Sequence, residues 1–220
     1  MTRAVYVFDA YGTLFDVHAA VRRHAHAVGP AADRLSDLWR RKQLEYSWIR
    51  TLMGRYRDFW QLTEDALDFA LAAVPEADPA ARDRLLDAYR TLDVYPEVYR
   101  VLTALKAGGA RLAILSNGSP AMLAAAVDNA RLGDALDEVI SLDEIRAYKT
   151  APAAYDLVAT RFRVYPEAVS FQSSNRWDIA GATAFGFRTV WINRTGQPDE
   201  YADLKPAAVL KTLDGLAALE

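Results

Sequence analysis

The stretch from Ala4 to Phe15, A-V-Y-V-F-D-A-Y-G-T-L-F, constrains the fold more than any other. Its first half is apolar and dense in β-branched and aromatic residues, which predicts a short buried strand. Asp9 falls where that strand ends, and Gly12 marks a turn. In open α/β sheets the carboxyl ends of the strands face the ligand crevice, so an acid there is a candidate functional group. A lone Asp before Gly is otherwise a turn residue. The balance shifts because further polar residues lie at or after the ends of other expected strands: Ser116, Lys149, Ser173, Asn175 and Asp178.

The rest of the chain supplies those strands. Between Asp16 and Asp93 no strand pattern occurs. Helices are predicted over 18–28, ended by Gly29-Pro30, and over 35–56, 58–74 and 80–92. An all-helical block directly after the first strand reads as an insertion, a cap over the crevice. Alternation follows. A helix over 97–107 stops at Gly108-Gly109. Strands are predicted over 111–115, 138–141, 168–172, 189–193 and 208–210. Helices lie between them over 121–130, 151–162 and 179–185, with a last helix after 210. Such alternation predicts a parallel sheet covered on both faces. In that sheet the polar clusters share one edge and converge. Each has a plain alternative: Ser116, Asn117, Ser174 and Asn175 are also helix-capping types, and Lys149 suits a solvated surface.

Bulk properties narrow the function classes. The 220 residues suffice for one large domain or a core with an insert. The net charge of −3 leaves no basic footprint for nucleic acid. Without cysteine, disulfides, thiolate catalysis and cysteine metal sites are excluded. No apolar run approaches the ~20 residues of a membrane span. The first strand begins too early to leave room for a signal peptide, so a cytoplasmic location is the default expectation.

Five elements carry a resemblance. D-A-Y-G-T-L-F at 9–15, L-S-N-G-S-P at 115–120, Y-K at 148–149, S-S-N-R-W-D at 173–178 and W-R-R-K-Q-L-E-Y-S-W at 39–48 resemble the haloacid dehalogenase superfamily, and within it the L-2-haloacid dehalogenases. The resemblance implies a Rossmann-like core (1–15 and 93–220), a helical cap (16–92) and an active site between them. Two residue choices fit that branch. Superfamily phosphatases carry a general acid two positions after the nucleophile, where this chain has Tyr11. They also hold Mg²⁺ with an acidic pair near the fourth strand, where this chain has Ser173 and Ser174 and only Asp178 remains. Mg²⁺ wants several oxygen ligands, whereas halide departs without protonation. The expectation is therefore metal-independent cleavage of a short L-2-haloacid to a D-2-hydroxy acid, with no cofactor. An Mg²⁺-dependent phosphatase and a non-catalytic small-acid-binding protein are the alternatives.

The resemblance also implies roles. Asp9 is the nucleophile, forming an ester at C2 of the substrate. Lys149 is its counter-ion, and Thr13 and Ser173 orient it. Asn175 and Asp178 position and activate the hydrolytic water. Ser116 and backbone N–H groups from Ala10 onward hold the substrate carboxylate. Arg40 and Asn117 receive the halide. Tyr155 lies near the lysine, and Tyr11, Leu44, Phe59 and Trp177 wall the pocket. Arg41 and Lys42 are read as solvated, and Trp39, Trp48 and Trp60 as core or interface. The aromatic-rich helical block suits a homodimer. One departure stands out: Thr150 follows the lysine where the family commonly has proline, and Pro152 comes later, at a helix start. Lys149 is thereby less restrained by its own backbone.

Overall fold

The computed structural model describes residues 4–219; residues 1–3 and 220, which the sequence reading assigns to the core, lie outside the described residues. Six parallel strands form one sheet in the order β3-β2-β1-β4-β5-β6. They are β1 (Val5–Phe8), β2 (Arg111–Ser116), β3 (Glu138–Ser141), β4 (Val169–Ser173), β5 (Arg188–Ile192) and β6 (Ala208–Leu210). The helices are α1 (Ala19–Arg23), α2 (Ala25–Val28), α3 (Ala32–Leu52), α4 (Phe59–Ala73), α5 (Arg82–Arg90), α6 (Val98–Ala107), α7 (Pro120–Asn129), α8 (Pro152–Phe162) and α9 (Arg176–Phe185).

Strand side chains alternate between the two faces, and the core divides accordingly. Val5, Val7, Ala113, Leu115 and Phe171 pack with Tyr155 and Val158 of α8 and Ile179 of α9. Tyr6, Phe8, Leu112 and Ile114 join Val98, Leu102 and Leu105 of α6. Both faces of β1 are therefore dry, which explains its unbroken apolar run.

Strand order positions the site. The chain builds β2 and β3 to one side of β1 and β4 to β6 to the other, so it reverses direction between β1 and β4. Crevices open at such reversals, beyond the carboxyl ends of the strands. Phe8 pairs with Gln172 and with Ile114, so Asp9 comes level with Ser173.

Within the helical block, α3 and α4 pack side by side. Asp58 caps α4, accepting from the N–H groups of Trp60 and Gln61. Two crossovers join the block to the sheet: Asp16 N–H donates to Asp93 O at 2.8 Å and Tyr95 N–H to Leu14 O at 3.0 Å. Four expectations need correction. The helix expected over 18–28 is two short ones, because the backbone at His24 (φ −114°, ψ 20°) leaves the helical region. The helix expected over 35–56 ends at Leu52, and 53–58 runs irregularly into the Asp58 cap. The helix expected over 179–185 starts at Arg176, so the S-S-N-R-W-D motif supplies its first turn. The last segment, Leu213–Leu219, is a 3₁₀ helix. Among the described residues no helix is long and apolar enough to cross a membrane.

Candidate active site

Asp9 sits beyond β1, 5% exposed, where its N–H still donates to Gln172 O at 2.9 Å and holds the backbone in sheet register. Its two carboxylate oxygens have different partners. Oδ2 accepts from Thr13 Oγ1 at 3.0 Å and Asn175 Nδ2 at 2.8 Å, with Ser173 Oγ farther away at 3.4 Å. Oδ1 accepts from Lys149 Nζ at 3.0 Å. Thr13 reaches back because the turn after β1 is tight: the N–H groups of Thr13, Leu14 and Phe15 all point to Ala10 O. Gly12, at φ +94°, adopts the left-handed backbone this turn requires.

Lys149 is 1% exposed and bridges two carboxylates, with Asp178 Oδ2 at 2.8 Å. Its placement does not depend on a proline after it: its N–H donates to Asn117 Oδ1 at 3.0 Å. The Lys149–Thr150 peptide is cis. Burial opposes the ammonium charge, but the Asp178 and Asp9 carboxylates outweigh it and raise the lysine's pKa. Asp178 is fully buried in the first turn of α9, where the helix dipole favours an anion. Burial nevertheless pushes its pKa up to about 6, with Lys149 opposing and the like charge of Asp9 adding to the rise. One ammonium cannot neutralise two carboxylates in a dry site. Tyr155 Oη donates to Asp178 Oδ1 at 2.9 Å, and burial followed by the Asp178 charge keeps this phenol well above its ordinary range.

The capping alternatives hold for Asn175 in position only, without a side-chain cap bond. Ser119, not Ser116 or Asn117, is the N-cap of α7. Asn175 is the N-cap of α9 but makes no side-chain cap bond, because its amide is turned onto Asp9. Ser116 is buried and its Oγ accepts from Gly118 N–H at 3.1 Å.

Across the crevice, Arg40 of α3 donates to Tyr11 O at 3.2 Å and to Gln43 Oε1 at 2.8 Å. Among the described residues it forms no ion pair. It does not touch Asp9; it is tied to the same turn through the Tyr11 carbonyl, which Asn175 Nδ2 also approaches at 3.3 Å. Tyr11 is buried, its ring stacked on Tyr89 at 5.7 Å with Phe59 at 6.5 Å. Gly118 admits that ring, since a Cβ there would lie 2.8 Å from it. Ala10 and Leu44 are buried. Trp177 stands apart from this group, edge-on to Trp48 at 5.4 Å, beside an apolar groove of about 910 Å³ that runs along Lys149 and Thr150.

Two further residues join this cluster and were not read from the sequence. Gln43 lies three positions after Arg40, so both share a helix face. Its buried amide holds Arg40, Thr63 Oγ1 at 2.7 Å and Tyr89 Oη at 3.1 Å. The i,i+3 spacing was the available signal. Gly181 of α9 has none: its lack of a side chain admits Tyr155 Oη, which a Cβ would meet at 2.5 Å.

The profile of the haloacid dehalogenase-like hydrolases matches residues 4–186. The (S)-2-haloacid dehalogenase 1 of Pseudomonas sp. (strain CBS-3) is 53% identical over 214 residues, covering 97% of this chain and 94% of that protein. A crystal structure of a dehalogenase superposes with a TM-score of 0.97 at 47% identity, covering 100% and 97% of the two chains. The L-2-haloacid dehalogenase of Xanthobacter autotrophicus, with chloropropionic acid covalently bound, superposes with a TM-score of 0.88 at 37% identity, covering 99% and 98%.

Proposed function

The chain belongs to the haloacid dehalogenase-like hydrolases and is an enzyme acting on carbon–halide bonds, and from this we propose that it converts short L-2-haloacids to D-2-hydroxy acids through an ester on Asp9. The observation that carries the reading is the grip on Asp9. Its carboxylate is aimed by Thr13 and Asn175 at one oxygen and by Lys149 at the other. An oriented, charge-paired carboxylate in a dry crevice is built to attack carbon.

In the first step an Asp9 oxygen attacks C2, the new C–O bond forms, and the C–X bond breaks with its electron pair leaving as halide. Arg40 is the cation placed for that anion. Its fixed partners are a carbonyl and an amide oxygen, so its charge is uncompensated and free to attract one. Asn117 is assigned to the halide site with Arg40, and Ser116 with the Ala10 turn to the substrate carboxylate. Tyr11, Leu44 and Phe59 wall the pocket on the side of Arg40, and Trp177 lines the groove that runs along Lys149. In the second step water attacks the Asp9 carbonyl carbon, the ester C–O bond breaks toward the hydroxy acid, and Asp9 is restored. Asp178 takes one of the water's protons, the departing alkoxide takes the other from the new carboxyl group, and Asp178 then releases its proton to solvent. Its raised pKa makes it a better base than an ordinary aspartate while leaving it ionised at neutral pH. Tyr155 holds that carboxylate, and Asn175 and Ser173 complete the water's surroundings. The covalent route is supported by the chloropropionic acid bound covalently in the Xanthobacter autotrophicus relative.

We assign no metal to this scheme: Tyr11 stands where the phosphatase alternative has its general acid, Ser173 and Ser174 where it has its acidic pair, and the two carboxylates that remain, Asp9 and Asp178, share the Lys149 ammonium. Halide release from L-2-chloropropionate, with none from the D isomer and no loss in excess EDTA, is the expected result. Chelator-sensitive phosphate release without halide release would overturn the reading. A single turnover in H₂¹⁸O with enzyme in excess separates attack by Asp9 from attack by water. Unlabelled hydroxy acid and a labelled Asp9 peptide are expected, whereas labelled product would sink the ester. The setting we propose is a cytoplasmic homodimer. Ile49, Leu52 and the following Met53, around the end of α3, are 50%, 83% and 53% exposed, and Leu52 lines the apolar groove. Light scattering should return twice the chain mass.

A further inference from the structure

We propose that Arg194 is a positioning residue of the nucleophile, acting on Asp9 through Thr13. The inference rests on the reading of Asp9 as the attacking group and adds a residue from a distant part of the chain. Thr13 is held at three points. Its hydroxyl donates to Asp9 Oδ2 at 3.0 Å and accepts from Ser174 N–H at 2.8 Å. Its carbonyl, left over where the turn after β1 ends, accepts from Arg194 Nη2 at 2.8 Å. Arg194 follows β5, on the far side of β4 from Thr13 in the sheet.

The guanidinium is itself locked. The same Nη2 lies 2.7 Å from Glu97 Oε1, with the two side chains only 12% and 8% exposed. Its Cζ lies over the Tyr95 ring, 3.7 Å from the centroid. Both partners lie on the return crossover from the helical block, whose Tyr95 N–H pairs with Leu14 O. Arg194 Nε is buried without an acceptor among the described residues. A buried ion pair of this kind is weak ground for stability, since apolar replacements often serve as well, and an unsatisfied buried N–H calls for another reason to keep the group. The Thr13 carbonyl is that reason. It is a backbone acceptor one residue long in sequence and 181 residues away from its donor. Without the donor, the turn is free to rotate about Thr13, and the hydroxyl loses its line to Asp9. Misplacement of a reacting group by about 1 Å costs on the order of 10²-fold in rate.

The test is a double-mutant cycle on L-2-chloropropionate with thermal melting in parallel. Arg194→Gln is expected to lower kcat about tenfold with KM changed by less than about twofold, since the substrate contacts are untouched. In a Thr13→Ala background the same substitution should cost less than about twofold, because its route to Asp9 is already cut. Arg194→Lys keeps the charge beside Glu97 but not the fork, and should fall between. If Arg194→Gln fails to fold, the Lys variant carries the same comparison. A folded variant with unchanged kcat, or an equal loss in both backgrounds, overturns the inference. Asp9→Asn is run alongside: if it stays active, the reading of the nucleophile fails first, and if it is inactive while Arg194→Gln is not, only the role of Arg194 fails.

Discussion

At the scale of single residues, neighbours in sequence have opposite fates. Arg40 is half-buried on neutral partners, while Arg41 next to it is exposed. Arg40→Ala should therefore depress halide release by on the order of 10²-fold, and Arg41→Ala should leave it nearly unchanged. Equal small losses would return Arg40 to the solvated face. Asp178 yields a pH dependence. Above about 6 it is ionised and able to take a proton, so turnover should fall as the pH drops through that value, in the ester-hydrolysis step above all. Stability has the opposite sign. A carboxyl whose pKa is raised by folding binds its proton more tightly in the native state, so this group favours the fold below its unfolded value and loses that contribution as the pH rises through about 6. A rate profile of ester breakdown, taken by rapid quench between pH 5 and 8, checks the first claim. A flat profile would remove Asp178 as the base.

At the scale of elements, α9 matters through its first turn and through its packing on α8. Starting at Arg176, it places Asp178 in the dipole and turns Asn175 out toward Asp9. Farther along, Gly181 lets Tyr155 of α8 approach and hold Asp178. A Cβ at 181 would lie 2.5 Å from Tyr155 Oη and 2.8 Å from Thr150 Cβ. Gly181→Ala should cost about 1–3 kcal/mol of stability by overpacking. It should also slow ester hydrolysis more than halide release, because Tyr155 is pushed off Asp178. Urea unfolding with separate burst and steady-state kinetics measures both, and equal slowing of the two steps would count against the Tyr155 role.

At the scale of the whole molecule, the helical block meets the sheet at the loop that carries Lys149. Tyr56 Oη bonds Asp143, Tyr148 Oη bonds Arg57 O, and Tyr148 N–H donates to Thr51 Oγ1 at 3.0 Å. The two tyrosine rings stack at 5.4 Å. Residues 16–92 are proposed to act as a cap that opens about the paired crossovers, with these bonds as its closing contact. Tyr148→Phe should then speed amide exchange about tenfold in segments 51–58 and 142–149 and leave β1 and β4 protected. Uniform loss of protection would mean that the block and the sheet open as one unit.

The sequence by itself determined the parallel α/β fold, the helical block and the sheet edge on which the polar residues collect. Those properties are written in local periods: an apolar run before Asp9, helical spacing from Leu35 to Tyr56, and polar residues directly after Ser116 and Ser173. The family-specific motifs marked Arg40, Asn175 and Asp178 as well. Exact helix ends were less legible, since the break at His24 and the stop at Leu52 depend on caps and packing rather than on period. Only the tertiary structure decided which groups meet. Lys149 stands 140 residues from Asp9 and 29 from Asp178, yet bridges them. Arg194 serves the Thr13 carbonyl across 181 residues, and Gly181 is needed only because Tyr155 arrives beside it. Such contacts are created by strand order and helix packing. A lysine that will be buried between carboxylates has no different local pattern from one that will be solvated, because the neighbours that bury it come from other parts of the chain.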